Sequence, residues 1–240
     1  MARRETPRGS RGARGRASRG ADKMAALRAI GGSRGAPALR PRLGQSRGGS
    51  GGLRAHLDRW RQHLEGAAGW AERWRLRKLN AYRSSLRESL GPDAAAAEFT
   101  WACGGGVRFL GQQRWIGPGS RSELPRLQHL PVVGIDLSGT PVTYGGLDNL
   151  VSLSHLSHLD LSGCPHVSDW LLARLHVFEA TLQHLALARC PQVSERGLAT
   201  LHHLRQLRSL DLAGLAVPSP ARLRALLEAA LPHCRILGME

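Results

Sequence analysis

The chain has 240 residues, 42% of them hydrophobic, which is enough to bury the core of one or two domains. It carries 34 Lys and Arg residues against 18 Asp and Glu residues, and this net charge of +16 lies entirely within the first 90 residues. Residues 91–240 are neutral, with 12 basic and 12 acidic side chains. A domain that binds phosphate backbones needs basic residues of its own, so we expect no nucleic-acid binding by this part of the chain.

Residues 1–52 are rich in Arg, Gly and Ser and contain 13 basic residues against two acidic ones. Such a segment buries too little apolar surface to offset its chain entropy, so we predict a disordered leader. Its composition is typical of a mitochondrial transit peptide, whereas its repeated Arg-Gly steps would suit an RNA-binding arm. We favour the transit peptide, because the segment from Met24 would make an ordinary presequence if translation began there.

Residues 53–129 are predicted to form a helical cap. Apolar residues recur every three or four positions in residues 53–64 and again in residues 79–90, which predicts two amphipathic helices. We expect Gly91-Pro92 to end the second helix and Asp93 to cap a short Ala-rich helix that follows.

Three tryptophans of the predicted cap, Trp60, Trp70 and Trp74, lie among arginines. Their positions coincide with the apolar period, so we predict that they pack into the body while Arg keeps the outer face soluble. Contact with nucleic acid or with anionic lipid is the alternative. The chain has no uncharged apolar run of about 18 residues, so any membrane contact is expected to be peripheral.

The C-terminal part of the chain contains a repeated sequence. The 17-residue segments Leu159–Leu175 and Leu185–Leu201 are identical at nine positions, and weaker copies begin at Ile135 and Leu210. A period of 24–26 residues with this leucine pattern is typical of leucine-rich repeats. We therefore predict that residues 130–240 form a short α/β solenoid of about four leucine-rich repeats, stacked so that each buries its neighbour's apolar face.

Within each repeat we predict a short strand, a turn and a helix. The strands are expected at residues 158–161 and 184–187, and the helices begin at Ser168 and Ser194, which should act as N-caps. The last segment of the chain should form a closing helix and a final strand over residues 234–237.

One position of the repeat holds a small side chain where each strand turns off, and it is occupied by Thr140, Cys164, Cys190 and Leu215. Because Thr and Leu also fill it, sulfur chemistry is not required there, and we predict that the two cysteines are buried free thiols. A disulfide is the alternative, since stacked strands lie about 4.8 Å apart and disulfide Cα distances begin near 4.4 Å.

The strand positions between the leucines should face the concave surface of the solenoid in two columns. One column reads Asp136, Asp160, Ala186 and Asp211, and its neighbour reads Gly134, His158, His184 and Ser209. Adjacent like charges are mildly destabilising, which suggests that they have a use. We predict that the acidic and histidine positions dock a basic segment of a partner protein, with an ordinary solvated face as the alternative.

The sequence contains none of the familiar catalytic or cofactor motifs. It lacks a nucleophile elbow, a phosphate-binding loop, a dinucleotide fingerprint and paired His residues with zinc-ligand spacing. The four cysteines are scattered, without a Cys-x-x-Cys pair. We therefore predict no catalytic residue, no metal site and no cofactor.

Several segments together closely resemble the ATP synthase subunit s family, over roughly residues 76–238. They are LGPDAAAAEFTWACGGGVRFLGQQRW (Leu90–Trp115), YGGLDNL (Tyr144–Leu150), HVSDWLLARL (His166–Leu175) and CPQVSERGLATLHHLRQLRSLDL (Cys190–Leu212).

The resemblance implies a mitochondrial protein without catalytic activity, on the matrix side of the inner membrane. Such a protein would help to build the distal membrane arm of respiratory complex I (NADH:ubiquinone oxidoreductase) by binding incompletely assembled intermediates. The family's other branch, coupling factor B, is associated with ATP synthase. The sequences GLDNL and SERGLATLHHL favour the assembly-factor branch.

One alternative comes from a different class of protein. Cysteine-containing leucine-rich repeats are common in the substrate receptors of ubiquitin ligases. Such a receptor needs an adaptor-binding F-box before its repeats, and residues 53–118 do not resemble one.

Overall fold

The computed structural model describes residue 61 and residues 69–239, which form a mixed α/β fold built on a six-stranded sheet. The strands lie in the sheet in chain order, β1 antiparallel to β2 and all later neighbours parallel. Their bounds are Gly106–Phe109 (β1), Val132–Asp136 (β2), His158–Asp160 (β3), His184–Ala186 (β4), Ser209–Asp211 (β5) and Arg235–Leu237 (β6).

Helical segments connect the strands. The α-helices are residues 69–79 (α1), Ser84–Leu90 (α2), Pro92–Cys103 (α3), Leu124–Leu127 (α4), Asp169–Ala173 (α5), Glu195–Ala199 (α6) and Pro220–Ala230 (α7). Short 3₁₀ helices occupy Pro118–Glu123, Tyr144–Asn149, Arg174–Phe178 and Thr200–His203. The helices predicted after β3 and β4 therefore each begin as one turn of α-helix and continue as 3₁₀ helix, and the segment after β2 is 3₁₀ helix.

The parallel register places the repeated segments side by side. Paired positions in β2 to β6 are separated by 24, 26, 25 and 26 residues, from Gly134 through His158, His184 and Ser209 to Arg235. The central residue of each strand is buried against its neighbours, and these residues are Ile135, Leu159, Leu185, Leu210 and Ile236. Equivalent residues of the sequence repeat therefore lie side by side and form a continuous apolar row, which is part of the core.

The small-residue position of the repeat is inward-facing, as predicted. Thr140, Cys164 and Cys190 are buried, and all four cysteines of the chain are free thiols. The Sγ atom of Cys164 donates to the carbonyl of Leu137 at 3.0 Å, and that of Cys190 donates to Leu161 at 3.1 Å. Each thiol therefore satisfies a carbonyl of the preceding repeat, so these cysteines link neighbouring layers through hydrogen bonds.

The turn after each strand requires a left-handed backbone residue. Gly139, Gly163 and Gly214 hold this position with φ of 66° to 68°, and Arg189 holds the equivalent position with φ of 55°. A residue with a Cβ atom pays a steric cost in this region that glycine avoids. The backbone of Arg189 is therefore strained, at a turn position that glycine occupies in the other repeats.

The cap region contributes β1 and the Ala-rich helix α3. The helix predicted over residues 79–90 is wrong in its extent, because α1 ends at residue 79 and α2 begins at Ser84. Gly91 ends α2, as predicted, but it also occupies the N-cap position of α3. The predicted cap residue Asp93 lies in the first turn, where its Oδ1 accepts a hydrogen bond from the Val132 backbone N–H at 2.7 Å.

Two polar side chains link successive layers through the start of the next helical segment. Asp169 Oδ1 accepts the Ser194 N–H at 2.8 Å, and Asn80 Oδ1 accepts the Thr143 N–H at the same distance. A Cβ on Gly197 would lie 2.2 Å from the Asp169 oxygen, and one on Gly146 would lie 2.2 Å from the Asn80 oxygen. Asn80 therefore holds the start of the helical segment after β2, in the same way as Asp169 holds the start of the helix after β4.

Ser168 and Ser194 occupy the N-cap positions of α5 and α6, so both predicted N-caps are confirmed. The two serines differ in their side-chain hydrogen bonds. Ser194 accepts the backbone N–H of Arg196 through its side chain, whereas Ser168 makes no side-chain cap bond. The closing segment agrees with the prediction, since α7 is followed by β6 at the end of the sheet.

The packing predicted for the cap tryptophans is wrong for two of them. Trp70 is 64% exposed and Trp74 is 54% exposed, because α1 turns its leucines towards the body and its tryptophans away from it. Trp60, the predicted leader and, apart from residue 61, the predicted first cap helix lie outside the described residues.

Replacing Arg189 with Gly should raise the free energy of unfolding by about 0.5–1 kcal/mol, because relief of left-handed strain outweighs the added freedom of the unfolded chain. The reciprocal change Gly163→Ala should lower it by about 1 kcal/mol. Urea denaturation of both variants checks the pair. Equal effects of the same sign would show that the turn does not discriminate between glycine and other residues.

Cys164 and Cys190 should resist alkylation in the native protein and react fully once it unfolds. Burial raises the pKa of the Cys164 thiol to about 11 and also raises the pKa of Cys190, so neither supplies thiolate near neutral pH. Iodoacetamide labelling resolved by peptide mass spectrometry measures each thiol separately. Rapid native labelling of either cysteine would mean that its layer opens readily.

Candidate binding face

The two columns predicted from the repeat are adjacent in the sheet. Asp136 pairs with Asp160 between β2 and β3, and Asp211 follows across β4, which carries Ala186 at that position. In the neighbouring column, Gly134, His158, His184 and Ser209 are aligned in the same way. We call this surface the open face of the sheet. Its side chains are half-buried, except that Gly134 is fully buried.

Each aspartate of the open face holds the turn that follows its strand. Asp136 Oδ1 accepts the Ser138 N–H at 2.9 Å, Asp160 Oδ1 accepts the Ser162 N–H at 2.8 Å, and Asp211 Oδ1 accepts the Ala213 N–H at 3.0 Å. These are Asx turns, in which one carboxylate oxygen replaces a backbone acceptor. The local bond accounts for aspartate at this position without any partner.

The second oxygen of each aspartate is available to a ligand. Among the described residues, none of the three carboxylates forms an ion pair. Two like charges on neighbouring strands repel one another, and an incoming cation would relieve that repulsion. The arrangement can therefore accept hydrogen bonds from a basic group without giving up the turns.

The two histidines of the open face stack on one another. The rings of His158 and His184 lie with centroids 4.1 Å apart and planes inclined by 24°. Partial burial, the neighbouring His184 and the Arg108 guanidinium lower the pKa of His158 from 6.5 to about 4. Burial, Arg208 and Arg108 also lower the pKa of His184. Both rings are therefore neutral near pH 7 and offer hydrogen-bonding nitrogens on an aromatic surface.

The sequence-based prediction missed two residues of this face, Arg108 and Trp115. A Cβ on Gly134 would lie 2.8 Å from the Trp115 ring and 3.3 Å from Arg108 Cβ, so glycine leaves the space that the indole occupies. The Arg108 guanidinium lies over the same ring at 4.9 Å from its centroid. Neither residue carries a periodic signal in the sequence, since Arg108 lies in a strand of four residues that occurs once and Trp115 lies in a loop.

The described part of the chain contains neither a cluster of metal ligands nor a membrane-spanning helix. No group of three or more potential metal ligands comes together there. No helix within residues 69–239 has the length and apolar character needed to cross a bilayer. The face thus offers carboxylates, neutral imidazoles and a cation-covered indole, a set of groups suited to contact with another polypeptide.

Replacing His184 with Asn should raise the pKa of His158 towards 6.5, since the second-largest influence on it is removed while partial burial remains. In the unchanged protein, this histidine takes up a proton near pH 6.5 in the unfolded chain but only near pH 4 in the folded protein. Protonation therefore favours the unfolded chain, and the free energy of unfolding should fall as pH decreases from 6.5 to about 4. An NMR titration of the His158 ring and urea denaturation across this window measure both effects. A His158 pKa of 6.5 or above in the unchanged protein would contradict the stacked geometry.

The chain is similar to several individual proteins. No protein-family model matches the chain. A protein of Macaca fascicularis named "ATP synthase subunit s, mitochondrial" is 30% identical over 151 residues, covering 61% of this chain and 76% of the relative. Proteins of the same name from Mus musculus and Rattus norvegicus are 34% and 30% identical, over 38% of this chain.

The extent of the match differs between relatives. The chain spans just under half the length of the mouse and rat proteins, 45% and 46% respectively. It spans three quarters of the macaque protein at 30% identity, and the human protein of the same name is matched over 64% of its length. The chain belongs to the ATP synthase subunit s family.

Proposed function

We propose that this protein is a non-catalytic mitochondrial assembly factor that binds incompletely built intermediates of the distal membrane arm of respiratory complex I. It would act on the matrix side of the inner membrane, as a protein-binding scaffold. Family membership supports the mitochondrial and accessory parts of the proposal, because relatives are named as a mitochondrial subunit of a larger complex.

We also propose that β2 to β6 and the segments between them are leucine-rich repeats of a short solenoid. The spacing of 24–26 residues between paired strand positions supports this, as does the buried apolar row. The layer-to-layer hydrogen bonds of Cys164 and Cys190 support it as well. In such a solenoid the open face would be the inner wall, the usual place for a protein ligand.

One observation carries the binding mechanism: the register that brings Asp136 beside Asp160 and His158 beside His184. The carboxylates retain a free oxygen after forming their turns. The histidines present a neutral aromatic surface in the adjacent column, at the β1 end of which lies the cationic Arg108. A partner segment with basic residues spaced along an extended or helical backbone fits this face. Charge complementarity of this kind fixes partner choice more than it fixes affinity.

A second candidate function is an accessory role on ATP synthase. The name of the relatives, ATP synthase subunit s, favours it. The sequences GLDNL and SERGLATLHHL, in which the chain resembles the assembly-factor branch, favour complex I instead. The two candidates share the scaffold and the binding face and differ in the complex that is bound.

Affinity purification of the tagged full-length chain from mitochondria, followed by native gel electrophoresis, distinguishes these candidates. We expect the chain to migrate with membrane-arm intermediates of complex I, and its depletion should cause these intermediates to accumulate. Migration with ATP synthase alone would replace the first candidate by the second. Absence of the tagged chain from mitochondria would overturn both.

The double variant Asp136→Asn/Asp160→Asn should reduce recovery of the partner without lowering the midpoint of thermal unfolding. Asparagine keeps the oxygen that accepts the Ser138 and Ser162 N–H groups, so the turns survive while both charges are lost. We expect the affinity for the partner to fall by about tenfold or more, since a close charge pair at an interface contributes about 1.5 kcal/mol or above.

The matched control is Glu88→Gln/Glu179→Gln, which removes two exposed carboxylates outside the open face. Asp160→Lys and Glu179→Lys form a second pair with a larger change in charge. Equal loss of the partner in both members of a pair would indicate a general charge effect. Full recovery with the double variant would leave the open face as an ordinary solvated surface.

A further inference from the structure

Helix α1 has two faces of different chemistry. Successive residues of an α-helix are rotated by about 100°, which puts Trp70 and Trp74 within about 40° of one another around the axis. The half-buried Leu76 and Leu79 lie on the opposite side, towards the body. The tryptophans, the two largest side chains with an aromatic ring on this helix, are therefore exposed on the side away from the body.

Basic residues surround the exposed tryptophans. Arg73 and Arg77 lie on one flank and Lys78 on the other, and all three are exposed. Lys78 Nζ sits over the Trp74 ring, 5.1 Å from the centroid. Residues 69–90 hold six Lys and Arg residues against Glu72 and Glu88, a net charge of +4. The part of the chain from residue 91 onwards carries no such excess.

We propose that this face of α1, formed by Trp70, Arg73, Trp74, Arg77 and Lys78, binds the surface of an anionic phospholipid bilayer. The helix would lie in the plane of the membrane, with both indoles at the level of the headgroups and the cations paired with lipid phosphates. This is the arrangement of peripheral amphipathic helices, in which aromatic insertion and charge attraction act together.

The geometry favours a bilayer over the other anionic partners. One face of the Trp74 ring is already occupied by Lys78, which leaves less of it for stacking on a nucleic-acid base. Protein–protein interfaces favour Trp and Arg as well, but their cores are depleted in Lys, and here Lys78 covers the Trp74 ring. A flat bilayer contacts all five side chains at once and lets the long basic side chains extend around the rings.

The inference concerns a surface separate from the open face and does not depend on which complex the protein assists. The assay uses the full-length chain with vesicles of phosphatidylcholine, with and without phosphatidylglycerol. Because the Arg-rich residues 1–52 can attract anionic vesicles by themselves, sedimentation alone is not sufficient. Quenching of tryptophan fluorescence by lipids brominated on their acyl chains reports insertion of the indoles directly.

With the anionic vesicles we expect quenching of tryptophan fluorescence, and with phosphatidylcholine alone very little. Trp70→Ala/Trp74→Ala should abolish most of the quenching and weaken binding by at least about tenfold, given the transfer free energy of one large aromatic side chain. Trp170→Ala is the matched control, because Trp170 is 77% exposed on α5 and should leave both measurements unchanged.

A second pair of variants tests the charges. Arg77→Glu/Lys78→Glu should weaken vesicle binding by well over about twentyfold, since each basic residue near an anionic membrane contributes about fivefold and reversal adds repulsion. Arg196→Glu/Arg222→Glu changes the net charge equally at exposed positions elsewhere and should weaken it much less. Circular dichroism confirms that each variant is folded.

Three results would overturn the proposal. Vesicle binding without quenching, unaffected by the tryptophan variant, would assign the attraction to the leader. If the two charge-reversal variants weaken vesicle binding equally, then the binding depends on the net charge and not on this face of α1. Loss of affinity for a single-stranded oligonucleotide in the Trp70/Trp74 variant, with vesicle binding intact, would assign the face to nucleic acid.

Discussion

The whole arrangement depends on the parallel register of β2 to β6, which brings each repeat position beside its own copy. The apolar row from Ile135 to Ile236 is buried because of this register. If a strand shifted by one residue relative to its neighbours, its buried leucine or isoleucine would face outwards. The same register determines the open face. Asp136 meets Asp160 and His158 meets His184 because they occupy equivalent positions, so the candidate binding face follows from the packing of the core.

The layers are also joined by polar bonds that need particular small residues. Asp169 and Asn80 each hold the start of the following helical segment, and Gly197 and Gly146 leave room for their oxygens. Asn80 comes from the end of α1, a segment outside the repeats, yet it makes the bond that a preceding repeat would make. Asn80 is the first residue after α1, and the break that follows is held by Asn149, whose Oδ1 accepts the Arg83 N–H at 3.1 Å. In this respect Asn80 has the place that Asp169 has between two repeated segments.

Periodic features of the structure could be predicted from the sequence, and aperiodic ones could not. The buried leucines, the two columns, the cysteine positions and the closing segment of α7 and β6 all follow from the period of 24–26 residues. Strand β1 was missed because it occurs once, and its sequence Gly-Val-Arg-Phe is too short to show alternation. Trp115 was missed because it lies over Gly134 through a tertiary contact. The error over Trp70 and Trp74 has a different cause, since helical spacing predicts a shared face without saying which side that face is on.

The like charges on the open face are compatible with a stable fold because they have local roles. Each aspartate replaces a backbone acceptor in the turn after its strand, and this hydrogen bond offsets part of the repulsion between Asp136 and Asp160. The adjacent histidines add no positive charge near neutral pH, because burial lowers the pKa of both rings. The histidines therefore do not neutralise the acidic column, and among the described residues none of its three carboxylates forms an ion pair. An aspartate at this position thus holds the turn after β2, β3 and β5, whereas β4 carries Ala186 there, and only Asp136 and Asp160 lie side by side.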